Sequence, residues 1–363
     1  MKIGIIGSGI AGLTTGYLLR KQNHDVTIFD KKDRIGYDYW NIILEENYLS
    51  VPSRIIGRKC YPLMMQLLEE LNIECVQKKT TFQYDDSYFR LITSSLKLKH
   101  LTKKLLSITI DSNMTFGNLI DNNKMYGKTL AKQHIMRFLI RELQWVLNCS
   151  ANQVKNYPAK PIIDYLIIHL TTPNNTVSYI KDPREFVAKL SEGVLFVSDE
   201  ITSITENNDF ITLNGGYDFD HVIVATEAHI AYKLLPFLVE LSYFELQDVQ
   251  MIIHTDSTVL KDKTIDMYSN RDKELHVIIN NMYNLKMSQT YIETYNPVNR
   301  IDPEKILHNI QFTRPIHSIK TIHSLKRFTN FHPRIHLCGS YTVPGLCLQE
   351  EAILSAYKCV EEI

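Results

Sequence analysis

"GSGIAGLTTGYLLRKQNHDVTIFDKKDRIGYDYW", residues 7–40, decides the fold. The apolar run "KIGII" (2–6) precedes it, "TTGYLLRKQ" continues at helical spacing, and "DVTIFD" (25–30) is a second apolar run. The order is strand, glycine turn, helix, strand. Gly7, Gly9 and Gly12 form G-x-G-x-x-G, and Asp30 follows Gly7 by 23 residues. Each part has a physical task. Gly7 makes the tight turn, Gly9 lets backbone approach a pyrophosphate, and Gly12 packs the helix closely on the strand. Free amides and the helix dipole then hold the pyrophosphate, and a carboxylate at Asp30 accepts from ribose hydroxyls. An acid there disfavours a ribose 2′-phosphate, so NADP is the least suited dinucleotide. The competing reading is a glycine-rich turn before a capped helix. The loop after Asp30 carries Gly36 followed directly by the bulky Tyr37.

The 363 residues, 44% hydrophobic and 22% charged, suffice for a sizeable core and two domains. Forty Lys+Arg balance forty Asp+Glu, so no long-range field draws the chain to nucleic acid. Cys60, Cys75, Cys149, Cys338, Cys347 and Cys359 include no pair with zinc-ligand spacing. Reduced thiols in a cytoplasmic setting are expected, without a metal site. The apolar N-terminal run leads directly into glycines and reads as a strand rather than a signal peptide. No stretch reaches the roughly 20 apolar residues of a membrane span.

Further along, "CYPLMMQLLEELNIE" (60–74) reads as a helix with Pro62 in its first turn. Residues 78–180 read as a mainly helical insertion, with helices expected at 97–107, 114–121, 128–147 and 158–169. Strands return from 193 to 226, with an "NGG" turn and the buried strand "HVIVAT". Residues 231–329 read as a sheet of medium strands, and the last segment as strand, glycine loop and terminal helix. A nucleotide-binding domain is therefore expected over 1–77, 181–230 and 330–363, with a substrate or cap domain over 78–180 and 231–329.

"VTIFDKKDRIG" (26–36) resembles the flavoprotein signature of the amine oxidase superfamily. The segments "YPLMMQLLEELNIE", "DFDHVIVATEAHIAYKLL", "MIIHTDSTVLKD", "ETYNPVNRIDPEKILHNIQFTRPIHS" and "CGSYTVPGLCLQEEAILSAY" resemble, in family order, a branch of FAD/NAD-binding oxidoreductases whose genes accompany fatty-acid-modifying methyltransferases. The resemblance implies an α/β fold: a Rossmann-like FAD-binding domain of the amine oxidase or glutathione reductase type, with an inserted α+β substrate domain. It also implies FAD as the dinucleotide. Gly7, Ser8, Gly9, Ala11 and Gly12 would then serve the pyrophosphate, Asp30 the adenosine ribose, and Gly36 would be a further cofactor-binding residue. Arg34 would reach the pyrophosphate or ribityl region, its alternative being a solvated turn residue beside Asp33. Ile201 would present backbone to adenine, with Ala225 and Thr226 on the adenosine side. Gly339 and Ser340 would lie near the pyrophosphate, and Leu348 and Gln349 at the flavin end, where the terminal helix begins. Glu350 and Glu351 are expected to point away from the flavin, and Tyr37 to turn its ring outward with FAD affinity weakened but retained, so that Tyr37→Gly would tighten it.

The catalytic residues are unknown at this stage. His254 and Tyr341 are the pocket candidates, each with a plain alternative: local hydrogen bonding for His254, loop packing for Tyr341. Cys347 does not match a covalent flavin attachment and reads as a buried thiol. "LKLKHLTKKLL" (96–106) reads as a solvated helix face, with peripheral lipid contact or acceptance of an acyl carboxylate as its sharper readings. The function expected is an FAD-dependent oxidoreductase acting on an apolar small molecule, fatty-acyl chains included. Two enzyme alternatives are a flavin-dependent isomerase and a sugar-nucleotide mutase, the latter without an evident arginine pair for a substrate pyrophosphate. The alternative of another class is a degenerate flavoprotein serving as a nucleotide-binding module, on the strength of Tyr37 and the Gln349-Glu350-Glu351 run.

Overall fold

A computed structural model describes residues 1–84, 107–121, 130–171, 176–269 and 274–363. The 96–106 stretch lies outside them, as does the helix expected at 97–107 apart from its last residue. The elements that build the site are β1 (Lys2–Ile6), α1 (Ile10–Lys21), β2 (Asp25–Asp30), α2 (Pro62–Glu70), β3 (Leu195–Ser198), β4 (His221–Val224), β5 (Ile335–Leu337) and α3 (Gln349–Glu361).

The five strands form one sheet in the order β5-β4-β1-β2-β3, with every neighbouring pair parallel. Parallel strands need both faces covered, which their near-continuous apolar sequences reflect. Alternate residues supply the two faces. Ile3, Ile5, Val26 and Ile28 face a core shared with α1, α2 and α3 through Leu13, Leu67 and Ile353. Ile6, Phe29, Val222 and Val224 face a second core built with Ile211, Leu213 and Phe219 of a small three-stranded sheet.

A second sheet of six strands runs in the order 306–316, 245–254, 292–295, 275–278, 267–269, 82–84. Its core gathers Val249, Met251, Ile253, Val277, Tyr291 and Tyr295. The helices expected at 114–121, 128–147 and 158–169 are found at Phe116–Asp121, Leu130–Leu147 and Ala159–Thr171. They pack around the buried Phe116, Leu143 and Tyr157. A short helix, Ala151–Asn156, joins them behind a Ser150–Gln153 capping box.

Candidate nucleotide-binding and active site

The chain leaves β1 toward β2 on one side, while β4 pairs on the other, so the sheet reverses its winding between β1 and β4. In open α/β sheets the ligand crevice lies at the carboxyl ends of the strands at such a point. Gly7 and Ser8 follow β1 there, Asp30 ends β2, Ala225 and Thr226 follow β4, and Gly339 and Ser340 follow β5.

The three glycines of the loop have separate steric reasons. Gly7 has φ 109°, and a Cβ on it would lie 2.7 Å from the Ala225 carbonyl oxygen. A Cβ on Gly12 would overlap the Gly7 carbonyl oxygen, so α1 and the loop meet backbone to backbone. Gly9 differs: nothing lies within 4 Å of its Cβ position. It is the N-cap of α1, no side chain caps the helix, and no acid stands in the first turn. This uncapped first turn, with the space beside Gly9 free, is an arrangement that suits a diphosphate.

Asp30 is less free than its position implies. Its Oδ2 accepts from the Ser8 amide at 2.9 Å and the Ser8 hydroxyl at 2.5 Å, and its Oδ1 from the Lys32 amide at 3.2 Å. The Ser8 hydroxyl in turn accepts from the Gly36 amide at 2.5 Å. A carboxylate offers about four acceptor positions, so about one is left for a ribose. Ser8 thus ties the first strand-helix turn to the end of β2.

Lys32 lays its ammonium over the rings of Tyr39 and Trp40, 3.2 and 4.5 Å from their centroids. Burial pulls its pKa down, against the attraction of Asp30. Arg34 is exposed and donates to the Tyr39 carbonyl, which holds it on the aromatic turn rather than on the glycine loop. Ile201 is buried on the Phe29 side of the sheet. The Gly339 amide donates to Ser355 Oγ at 3.0 Å, Ser340 is half-buried, and Leu348 is the N-cap of α3.

Tyr37 corrects the sequence expectation. Its ring turns inward and is 5% exposed, edge-on to Phe186 and under the Arg54 guanidinium at 3.8 Å. Its hydroxyl donates to Gln349 Oε1 at 2.9 Å, and its amide to the Ser8 carbonyl at 3.2 Å. Its φ is negative, so the strain expected of a side chain in a glycine position does not arise. Arg54 also donates to the carbonyl of Tyr37 and to Asn41 and Ser50. Nothing in "VPSRIIG" marks Arg54 as part of this site.

Glu350 and Glu351 are occupied elsewhere. Glu350 accepts from the Leu63 and Met64 amides at 2.8 and 3.0 Å, capping α2, and Glu351 accepts from the Leu348 amide at 2.8 Å, capping α3. Burial raises both carboxyl pKa values despite these bonds.

His254 is corrected as a pocket candidate. It is fully buried within the six-stranded sheet. Its Nδ1 accepts from the Asp256 amide at 3.1 Å, which assigns the proton to Nε2 and lets it donate to Thr294 Oγ1 at 2.7 Å. Burial pushes its pKa down to about 4, so it is a neutral structural ring. Tyr341 stands closer to the crevice: its ring lies 2.7 Å from where a Cβ of Gly339 would be. Its hydroxyl is buried without a partner, a group that a ligand atom can satisfy. Cys347 is buried and its thiol is pushed up to about 12 by burial, which makes it a poor nucleophile.

The glycine loop, the acid and the parallel sheet define a Rossmann-like α/β domain. Residues 5–71 match the model of the NAD(P)-binding Rossmann-like domain, and the whole chain resembles several solved flavin enzymes in fold. A stretch of 36 residues is 50% identical to the 4,4'-diapolycopen-4-al dehydrogenase of Metabacillus indicus, covering 10% of this chain and only 7% of that protein. The crystal structure of the CLA-producing fatty acid isomerase from P. acnes superposes with a TM-score of 0.72, over 98% of this chain and 96% of that one, at 13% identity. Cyclohexylamine oxidase from Brevibacterium oxydans IH-35A does so with a TM-score of 0.68, over 99% and 98%, at 11% identity. At such identities the likeness is one of fold. No helix among the described residues is long and apolar enough to cross a membrane.

Proposed function

We propose that the chain is an FAD-dependent oxidoreductase of cytoplasmic setting, acting on an apolar small molecule, fatty-acyl chains included. The observation that carries this reading is the uncapped N-terminus of α1, open at Gly9 and set at the switch point of the parallel sheet. The residues present fit the dinucleotide: an open cradle for its diphosphate and an orphaned buried hydroxyl at Tyr341.

The amides around Gly9, Ala11 and Gly12 would hold the diphosphate. Asp30 keeps Ser8 and Gly36 in register and retains one acceptor position for the ribose. Ala225 and Thr226 would line the adenosine side, Gly339 and Ser340 the diphosphate, and Leu348 the flavin end. FAD supplies a two-electron acceptor when bound, and the protein supplies orientation and exclusion of water. The cofactor domain of this reading comprises 1–77, 181–230 and 330–363, whose segments contribute all five parallel strands. The substrate would lie between that domain and 78–180 with 231–329. The acyl preference rests on the sequence resemblance.

The test begins with the purified protein. A yellow preparation, or a saturable quenching of added FAD fluorescence, is expected; a colourless protein without such a change ends the reading. Anaerobic bleaching by acyl substrates but not by amines would support the substrate class, and the reverse result would replace it. A second reading, double-bond isomerisation without net redox change, draws support from the fold shared with the fatty acid isomerase. It predicts product formation without consumption of an electron acceptor.

A further inference from the structure

Three helix N-termini are linked by hydrogen bonds, and they are not equivalent. Those of α2 and α3 are already held by the chain's own carboxylates, Glu350 and Glu351. Glu351 also fills the space that Gly345 leaves, since a Cβ on Gly345 would overlap its side chain. Only α1 offers uncapped amides among these three. Between the α1 loop and the start of α3 stands the hydrogen bond from Tyr37 to Gln349.

We propose that the Tyr37–Gln349 bridge is a selectivity gate: the site receives an adenosine diphosphate group as it stands, and the second half of a dinucleotide enters only when the bridge opens. This rests on the dinucleotide reading above, with the flavin end at Leu348 and Gln349. Gln349 is the partner that moves. Tyr37 is locked by Phe186 and Arg54 on its two sides and by its own amide on Ser8, whereas Gln349 is half-buried at the first position of its helix. A larger ligand must therefore break a hydrogen bond that a smaller one leaves intact. Specificity of this kind is a difference between two affinities, and the bridge acts on one of them.

The experiment titrates the purified full chain and its Gln349→Ala and Tyr37→Phe variants with ADP and with FAD. Either variant removes one neutral hydrogen bond, so each is expected to tighten FAD by about 2- to 10-fold. ADP is the internal reference and should shift by less than about twofold in both. A parallel shift of ADP and FAD overturns the gate, as does an unchanged or weakened FAD affinity in both variants. If wild type binds neither ligand, the dinucleotide reading falls and the gate with it. If both ligands bind and the variants leave their ratio unchanged, the gate alone falls.

Discussion

The Ser8 hydroxyl and the Asp30 carboxylate stand 2.5 Å apart, and the Ser8 amide donates to the same oxygen. One residue of the first turn thereby fixes the end of the second strand. Its hydroxyl also receives the Gly36 amide, so three segments meet on one side chain. Ser8→Ala removes both side-chain bonds and leaves Asp30 and Gly36 each short of a partner. We expect a loss of about 1–3 kcal/mol in urea unfolding, and ADP binding weakened by about tenfold in a fluorescence or calorimetric titration. An unchanged unfolding midpoint would show that water replaces Ser8 without cost.

Gly9 and Gly12 should part company when each becomes alanine. Gly9 has a negative φ of −67° and free space around it, so Gly9→Ala should cost less than about 1 kcal/mol of stability. The new methyl would stand in the space the diphosphate needs, and ADP affinity should fall at least about 30-fold, or roughly 2 kcal/mol. Gly12→Ala drives a methyl into the Gly7 carbonyl and should cost about 1–3 kcal/mol or more, read as a loss of folded protein. Equal stability losses in the two variants would contradict this assignment.

Tyr37→Gly is expected to unfold the chain rather than improve its site. The ring is buried against Phe186 and Arg54, and truncating a buried aromatic costs about 3–5 kcal/mol. Tyr37→Phe keeps the packing and should cost no more than about 1.5 kcal/mol. Urea midpoints of the two variants, measured side by side, check the ordering.

Acid should destabilise the fold through buried imidazoles. Burial pushes His254, His317 and His336 each down to about 4, below the ordinary value of about 6.5. Between those pH values the unfolded chain binds protons that the folded chain refuses. Stability is therefore fully present above pH 6.5 and lost as the pH falls toward 4. Each ring can contribute about 1–3 kcal/mol over that window. Urea midpoints at pH 7.5, 5.5 and 4.5 should fall in that order, and a midpoint that holds steady down to pH 4.5 would refute the three neutral rings.

The parts of this molecule that could be read in the sequence are those whose causes are local. Gly7, Gly9, Gly12 and Asp30 lie within one strand-turn-helix-strand unit, and the terminal helix announces itself by its own periodicity. Tyr37 could not be placed that way. Its inward turn depends on Phe186 and Gln349, which lie 149 and 312 residues away along the chain. His254 sits beside a turn-forming Thr-Asp pair, yet strand pairing with 292–295 buries it under Thr294. The two terminal glutamates are good first-turn residues, and only the fold shows that Glu350 serves a different helix from its own.

The position of β1 also orders the life of the chain. Its partner β2 follows at once, but β4 pairs with it from residues 221–224, and β5 and α3 close the crevice from 335 onward. During synthesis the glycine loop emerges well before the strands and the helix that wall its crevice. Contacts this distant in sequence make slow assembly steps. The crevice is therefore complete only after α3 has been made, long after the glycine loop that opens it.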